Sequence, residues 1–398
     1  MKKALWIAGG IAVVIGIVVA VAWPSRWEIL SEQLESSAMS EPFVGITNNG
    51  AIEPDLFEIR QTGVSAAPMV DAARAFLASL TDTQRTSVQF PVDDPEWRKW
   101  MNPHFYIRQG VAFLDMDDSQ RAAAFEMMGA GLSVKGFTLA RDIMKLNTTL
   151  AELNDNDFEE YGEWRYWITI MGEPSYDQPW GWQLDGHHLI INYFVLGDQV
   201  VMTPLFVGSE PVIATSGKYQ GVAILQDEQR LGLEVMRSLT DAQVAEAVLE
   251  SQKTGNNNLA EFFKDNVIID YAGTSVANFS REQQRKLMDL VSLYIGNMDV
   301  GHAQNRMQML AAHLDETYFA WVGGLEDDSV YYYRVHSPVL LIEFDHQKPI
   351  GLRHLTDSTL PQRDHVHAVV RTPNGNDYGK DLLRQHLERY PHVGTAAT

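Results

Sequence analysis

From residue 67 onward the apolar positions fall at helical spacing, in "APMVDAARAFLASLTDTQRTSV" and again in "DDSQRAAAFEMMGAGLSVKGFTLARDIMKLNTTLAEL". Apolar side chains three and four apart share one helical face, so helices are predicted here, with a break from Gly129 to Ser133. At Trp164 the period changes. "WRYWITIMGEPSYDQPWGWQLDGHHLIINYFVLGDQVVMTPLFVG" holds short β-branched and aromatic runs between Gly, Pro and Asp turns, which predicts an antiparallel sheet. Leu196-Gly197-Asp198-Gln199 is read as a hairpin turn. Helical spacing returns in "LQDEQRLGLEVMRSLTDAQVAEAVLES", "SREQQRKLMDLVSLYIGNM" and "HAQNRMQMLAAHLDETYFAWVGG", with Ser280 and Gln283 placed as a capping box. Strands resume in "SVYYYRVHSPVLLIEFDHQ" and "DHVHAVVRTP", and "KDLLRQHLERY" closes the pattern as a helix.

Helices, strands, helices, strands and a last helix indicate an α+β fold of helical segments plus an antiparallel sheet, in a single large domain spanning 67–392 with a tail at 393–398. The order also admits two halves, each a helix pair followed by a strand pair. No shorter repeat is visible.

Ahead of this body the pattern is different. Met1-Lys2-Lys3 precedes an uncharged, almost wholly apolar run from Ala4 to Ala22, which is long enough to span a bilayer. Residues 1–23 are therefore assigned to a signal anchor or signal peptide. Ala20-Val21-Ala22 fits a cleavage site, but the run is longer than a usual signal core, which favours an anchor. Either reading places the body on the extracytoplasmic side, periplasmic or cell-surface. Residues 24–66, rich in Ser, Glu, Asn and Gly, are expected to form an extended tether.

Charge and composition narrow the chemistry. With 52 acidic against 31 basic residues the formal charge is -21, which disfavours nucleic acid and anionic membrane surfaces as partners; membrane contact is expected through the N-terminal segment alone. The absence of cysteine excludes disulfides, thiolate metal sites and a cysteine nucleophile. Any metal must then rest on His, Asp or Glu. A Gly-x-Ser-x-Gly elbow, a His-Glu-x-x-His helix, a phosphate loop and a dinucleotide fingerprint are all missing.

Twelve histidines are unevenly spread, seven of them from His336 onward. His365 and His367 lie two apart on a predicted strand, so both rings project from one face and can share an ion; two solvated histidines on an edge strand are the plainer alternative. His187 and His188 are adjacent, and on a strand they face opposite sides, so one ligand at most is expected unless Gly186 supplies a bulge. In "PVLLIEFDH" Glu343 and Asp345 share a face of an apolar strand, where a buried acid needs a cation or a charged donor, and Arg371 is a candidate partner. Asp377 either caps the helix that follows or faces a ligand. His386 on that helix can reach the strand pair or pack, and Trp180 and Trp182 can line a cleft or sit in the core.

Many of these segments occur together, in order, in one family. "Gly172-Glu173-Pro174-Ser175", "Trp180-Gly181-Trp182", "Gly186-His187-His188-Leu189" and "Pro204-Leu205-Phe206-Val207-Gly208" resemble the central signature of domain of unknown function 3500. "Thr317-Tyr318-Phe319-Ala320-Trp321-Val322-Gly323", "Tyr332-Tyr333-Arg334-Val335", "Leu341-Ile342-Glu343-Phe344-Asp345", "His365-Val366-His367" and the run from Asn376 to His386 are similar to its later motifs. The resemblance covers about residues 67 to 390. It brings no established activity, but implies that the double histidine, the His-x-His strand and the Asp-Tyr-Gly turn form one polar site.

The expectation is thus a divalent metal, zinc first and copper or iron as alternatives, held by His187 or His188 with His365 and His367. Glu343 or Asp345 would complete the shell or act as base, and Arg371 would hold a substrate anion. Trp180, Trp182, Asp377, Tyr378 and His386 are expected to contact a small-molecule or peptide substrate. Zinc would give a hydrolase, and copper or iron an oxidoreductase. A non-catalytic ligand-binding module with structural histidines is the rival reading.

Overall fold

Helix starts in this chain have local chemical causes. Thr81, Asp117, Thr240 and Ser280 each cap a helix while Gln84, Gln120, Gln243 and Gln283 close the reciprocal bond of a capping box. The computed structural model describes residues 26–390; the apolar run at 4–22 and the tail at 393–398 lie outside them. Among the described residues no helix is long and apolar enough to cross a membrane.

The strands are β1 (Gln89–Phe90), β2 (Val111–Ala112), β3 (Tyr166–Met171), β4 (Trp180–Gly186), β5 (Leu189–Leu196), β6 (Gln199–Val201) and β7 (Leu205–Ser209). They continue with β8 (Val248–Glu250), β9 (Thr274–Ser275), β10 (Tyr318–Gly323), β11 (Tyr331–His336), β12 (Leu341–His346) and β13 (Val366–Arg371). All join one sheet in the order β1-β3-β4-β5-β7-β13-β12-β11-β10-β8, with β2 on β3, β6 on β5 and β9 on β10. This is a mixed α+β single domain with one large sheet. The predicted turn at Leu196 to Gln199 joins β5 to β6, and the predicted helix break falls between Asp118–Gly131 and Val134–Leu153. The run read as helical through Gly323 leaves the helix after Ala312, and its aromatic and β-branched end, Tyr318–Gly323, pairs as β10 with β11.

The strand order reads the same from both edges because the domain is duplicated. β1 runs parallel to β3 as β8 does to β10, and the remaining pairings are antiparallel on both sides. The two halves meet where β7 pairs with β13, at Leu205 and Val370. Side-chain bonds repeat as well. Gln84 and Gln120 bond each other and the carbonyls of Asp115 and Ser79, as Gln243 and Gln283 bond each other and those of Asn278 and Ser238. The halves share an architecture while most of their side chains differ, which is why the sequence offers only the order of elements.

The two faces of the sheet are unlike. Tyr331 and Tyr333 point to the helical layer, where their hydroxyls donate to the carbonyls of Gln229 and Glu228. The alternating residues point to the other face, which is covered by irregular chain at 91–110 and 253–273. Buried irregular backbone leaves N–H and C=O groups without ladder partners, and these must be satisfied by side chains. The strands supply them: Gln183 donates to the carbonyl of Trp97, Arg371 to that of Lys264, and Glu343 accepts from the amides of Leu259 and Ala260. Polar strand residues are therefore interior here.

The tether reading does not hold for the described part of 24–66. Arg26–Met39 is a helix, and Ile46 and Phe57 are buried in the main core. The apolar anchors of this stretch are irregularly spaced, so no periodicity marks them in the sequence.

Candidate metal centre

β4 and β5 are joined by a two-residue turn, because Gly186 pairs with Leu189. His187 and His188 form that turn rather than part of a strand. His188 takes φ 62°, a left-handed conformation that costs a non-glycine residue on the order of 1 kcal/mol. Its ring stacks on that of His187 at 4.0 Å between centroids and extends toward β13. There it meets His365 and His367, which project from one face two residues apart.

Three ring nitrogens converge. His188 Nε2 lies 3.1 Å from His367 Nε2 and 3.3 Å from His365 Nε2, and the last two are 3.1 Å apart. All three residues are buried. His365 Nδ1 donates to the carbonyl oxygen of Lys348 at 2.7 Å, an atom that can only accept, so its Nε2 carries a lone pair. His367 Nδ1 lies 2.7 Å from Glu261 Oε1; with this carboxyl ionised and the ring neutral, Nδ1 donates and Nε2 keeps its lone pair as well. Two lone pairs facing each other at 3.1 Å repel, and a proton on His188 can relieve one contact at a time. A cation at the centre satisfies all three.

The triad fits a metal ion. At metal–nitrogen bonds of about 2.0–2.1 Å, these separations would subtend about 100° at an ion, close to the tetrahedral angle. Burial holds the His188 and His367 rings well below the usual imidazole range, reinforced by neighbouring histidines, so both are neutral donors. Burial also pushes the Glu261 carboxyl up to about 7, countered by Asn258, whose amide donates to the same oxygen. Glu210 stands 3.6 Å from His365 Nδ1 and accepts from the amides of Ile350, Gly351 and Leu352, which pins the loop carrying Lys348. Gly208 packs under the rings: a Cβ there would lie 3.3 Å from His367 and 3.4 Å from His188.

His187 stands beside the triad. Its Nδ1 meets Asn147 Oδ1 at 2.8 Å, and its ring packs edge-on against His104, which pairs with Glu160 near the surface. Of the two adjacent histidines, one joins the triad.

Other expected site residues lie elsewhere. Asp345 sits across from His367 in the β12–β13 register, but its carboxylate pairs with Lys253 Nζ at 2.7 Å and accepts from Asn257 N and Gln347 Nε2. Glu343 accepts from Tyr332 and the amides of Leu259 and Ala260. Both acids anchor the covering segment. Arg371 pairs with Asp265 at 2.9 Å and Asp377 at 3.1 Å. Asp377 accepts from the amide of Thr372, while the following helix, Lys380–Arg389, starts at Gly379 without a side-chain cap. Tyr378 donates to Asp265, and His386 packs against Tyr390. Trp180 and Trp182 are fully buried in the core, Trp182 stacked on Tyr193. The structure thus separates the Asp-Tyr-Gly turn, with Arg371, from the histidines.

Glu261, Glu210 and Asn147 are the partners that sequence reading missed. Asn147 opens an Asn-Thr-Thr triplet, a glycosylation sequon by pattern, and neither Glu261 nor Glu210 lies in a motif that signals a histidine partner. The duplication adds a contrast: carried through the strand registers, His188 corresponds to Val339, and His367 and His365 to Met202 and Val200. One corner of the sheet holds the histidines and its counterpart is apolar.

No curated protein and no solved structure matches the chain. Residues 62–380 match the family model described as Protein of unknown function (DUF3500), so the chain belongs to that family.

Proposed function

We propose that this protein is a metal-dependent hydrolase built on His188, His365 and His367. The observation that carries the reading is the convergence of the His188, His365 and His367 Nε2 atoms within 3.3 Å of one another, with the Nδ1 atoms of His365 and His367 each 2.7 Å from an oxygen. Imidazole ligands carry no charge of their own when they bind a metal, so a divalent ion held by three of them would keep its full charge, and zinc in such a set would bring the pKa of a bound water from 15.7 down to about 7.

The chain's own residues prepare this site. Glu261 fixes the orientation and tautomer of His367, and Lys348 does the same for His365 through its carbonyl. The stack of His187 on His188 holds the third ring in place.

The test is direct. The purified protein is analysed for metals, stripped, reconstituted separately with zinc, copper and iron salts, and assayed on ester, amide and phosphoester panels. Stoichiometric zinc with zinc-restored hydrolysis is the expected outcome. Turnover restored by copper or iron, with oxygen consumption, would move the centre to the oxidoreductases; no stoichiometric metal under any condition would sink the reading.

A further inference from the structure

The helix Arg26–Met39 exposes an apolar stripe. Trp27, Leu30 and Leu34, at i, i+3 and i+7, are 55 %, 41 % and 41 % exposed, while Glu35 on the same helix turns inward to accept from Tyr106. A helix with one face on the body and an apolar stripe in water has a surface left to cover.

The sequence ahead of it identifies what covers it. Ala4 to Ala22 is an uncharged run long enough to cross a hydrocarbon core of about 30 Å. The stretch from Ala22 to Trp27 can reach at most about 18 Å when fully extended. An anchored chain therefore keeps Trp27 within that distance of the bilayer, and indole rings favour that interface.

A chain of ring contacts links this helix to the histidines. Trp27 stacks on Phe105 at 5.7 Å, Phe105 meets His104, and His104 meets His187. Further exposed apolar side chains sit on segments that hold the cluster. Phe158 is two residues from Glu160, the partner of His104. Leu259 is two residues from Glu261, and Ile350 donates its amide to Glu210. Apolar residues at the tips of several segments around one polar centre match an interfacial surface.

We propose that this face docks on the lipid bilayer, with Trp27, Leu30 and Leu34 in the interfacial layer, so that the histidine cluster lies on the membrane-facing side of the domain. The net charge of -21 makes uncharged or zwitterionic lipid the surface it fits.

The absence of cysteine makes the test clean. Leu30→Cys, Ile350→Cys and Val134→Cys are introduced singly into the full chain, labelled with a fluorophore and reconstituted into phosphatidylcholine vesicles containing spin-labelled quencher lipid. Val134 is exposed at the far end of the helix whose Asn147 holds His187, about 20 Å along its axis. Thermal melts matching the parent chain confirm that each labelled protein is folded. Several-fold stronger quenching at Leu30 and Ile350 than at Val134 is expected. Equal quenching at all three, or quenching at Leu30 alone, overturns the proposal. Cross-linking of Leu30→Cys into dimers without lipid quenching assigns the face to a second copy and overturns it too. Quenching is read with or without metal, so this result is independent of the hydrolase assay.

Discussion

His365 and His367 place their Nε2 atoms 3.1 Å apart while each Nδ1 donates to a fixed acceptor, Lys348 O and Glu261 Oε1. Lone pairs so placed repel each other, so an ion bound between them would be coupled to folding. Saturating zinc at 1,000 times its dissociation constant is expected to stabilise the metal-stripped protein by about 4 kcal/mol. His367→Ala should abolish most of that gain. Thermal melts of both proteins with and without zinc check this, and an equal response in the variant would remove His367 from the site.

Glu261→Gln keeps an oxygen acceptor for the His367 ring and removes the charge behind it. Loss of such a partner lowers metal affinity by about 10–100-fold. Competition against a chromophoric chelator measures it. Glu343→Gln, which alters an acid tied to Leu259 and Ala260 rather than to the triad, should leave affinity within about threefold of the parent on the same scale. Equal losses in the two variants would mean that the covering segment, and not Glu261 itself, tunes the centre.

The duplication makes a paired prediction. Gly110 and Gly273 occupy equivalent positions ahead of β2 and β9, with φ 94° and 89°. A Cβ would fall 2.1 Å from the carbonyl oxygen of Ile168 at the first and 2.1 Å from that of Phe319 at the second. Those oxygens belong to backbone in β3 and β10, which cannot swing aside. Gly110→Ala and Gly273→Ala should each destabilise by about 2–4 kcal/mol, combining left-handed strain with a steric clash. Urea unfolding midpoints decide it, and a difference of several kcal/mol between the two would show that the halves tolerate strain differently.

Periodicity carried the elements and spacing carried half of the site. The Ser280–Gln283 capping box, the Leu196 to Gln199 turn and the shared face of His365 and His367 depend on contacts a few residues apart, which a linear pattern records. The third histidine of the triad was legible as one of two neighbours, but its choice depends on a turn that gives His188 a positive φ. Glu343, Asp345 and Arg371 carried a misleading signal for a physical reason. Polar residues alternating along an apolar strand suggest a site, yet here they satisfy the backbone of irregular chain laid over the sheet. Nothing local distinguishes the two cases, because the covering segment lies some 80 to 110 residues away in sequence. Glu261 was invisible for the same reason, since its partner His367 is reached across the fold.

His336 offers a pH test away from the histidine triad. Its ring is buried at the end of β11, edge-on to Tyr271, and burial with the neighbouring Arg334 lowers its pKa to about 3. The unfolded chain takes up a proton near pH 6.5 that the folded chain refuses, so the folded pKa is depressed. The stability associated with the neutral ring is therefore complete above 6.5 and is lost as pH falls from there toward 3, at up to about 1.4 kcal/mol per pH unit. Asp377, raised by burial to about 6, acts in the opposite sense over part of that range, so the wild-type slope alone is not diagnostic. The comparison that isolates the ring is His336→Gln, which cannot titrate. Unfolding free energies at pH 7.5, 5.5 and 4.5 should converge between the two proteins as pH falls, by about 2–3 kcal/mol in total. Parallel profiles would mean that His336 is protonated in the folded state, with a countercharge that the observed packing does not provide.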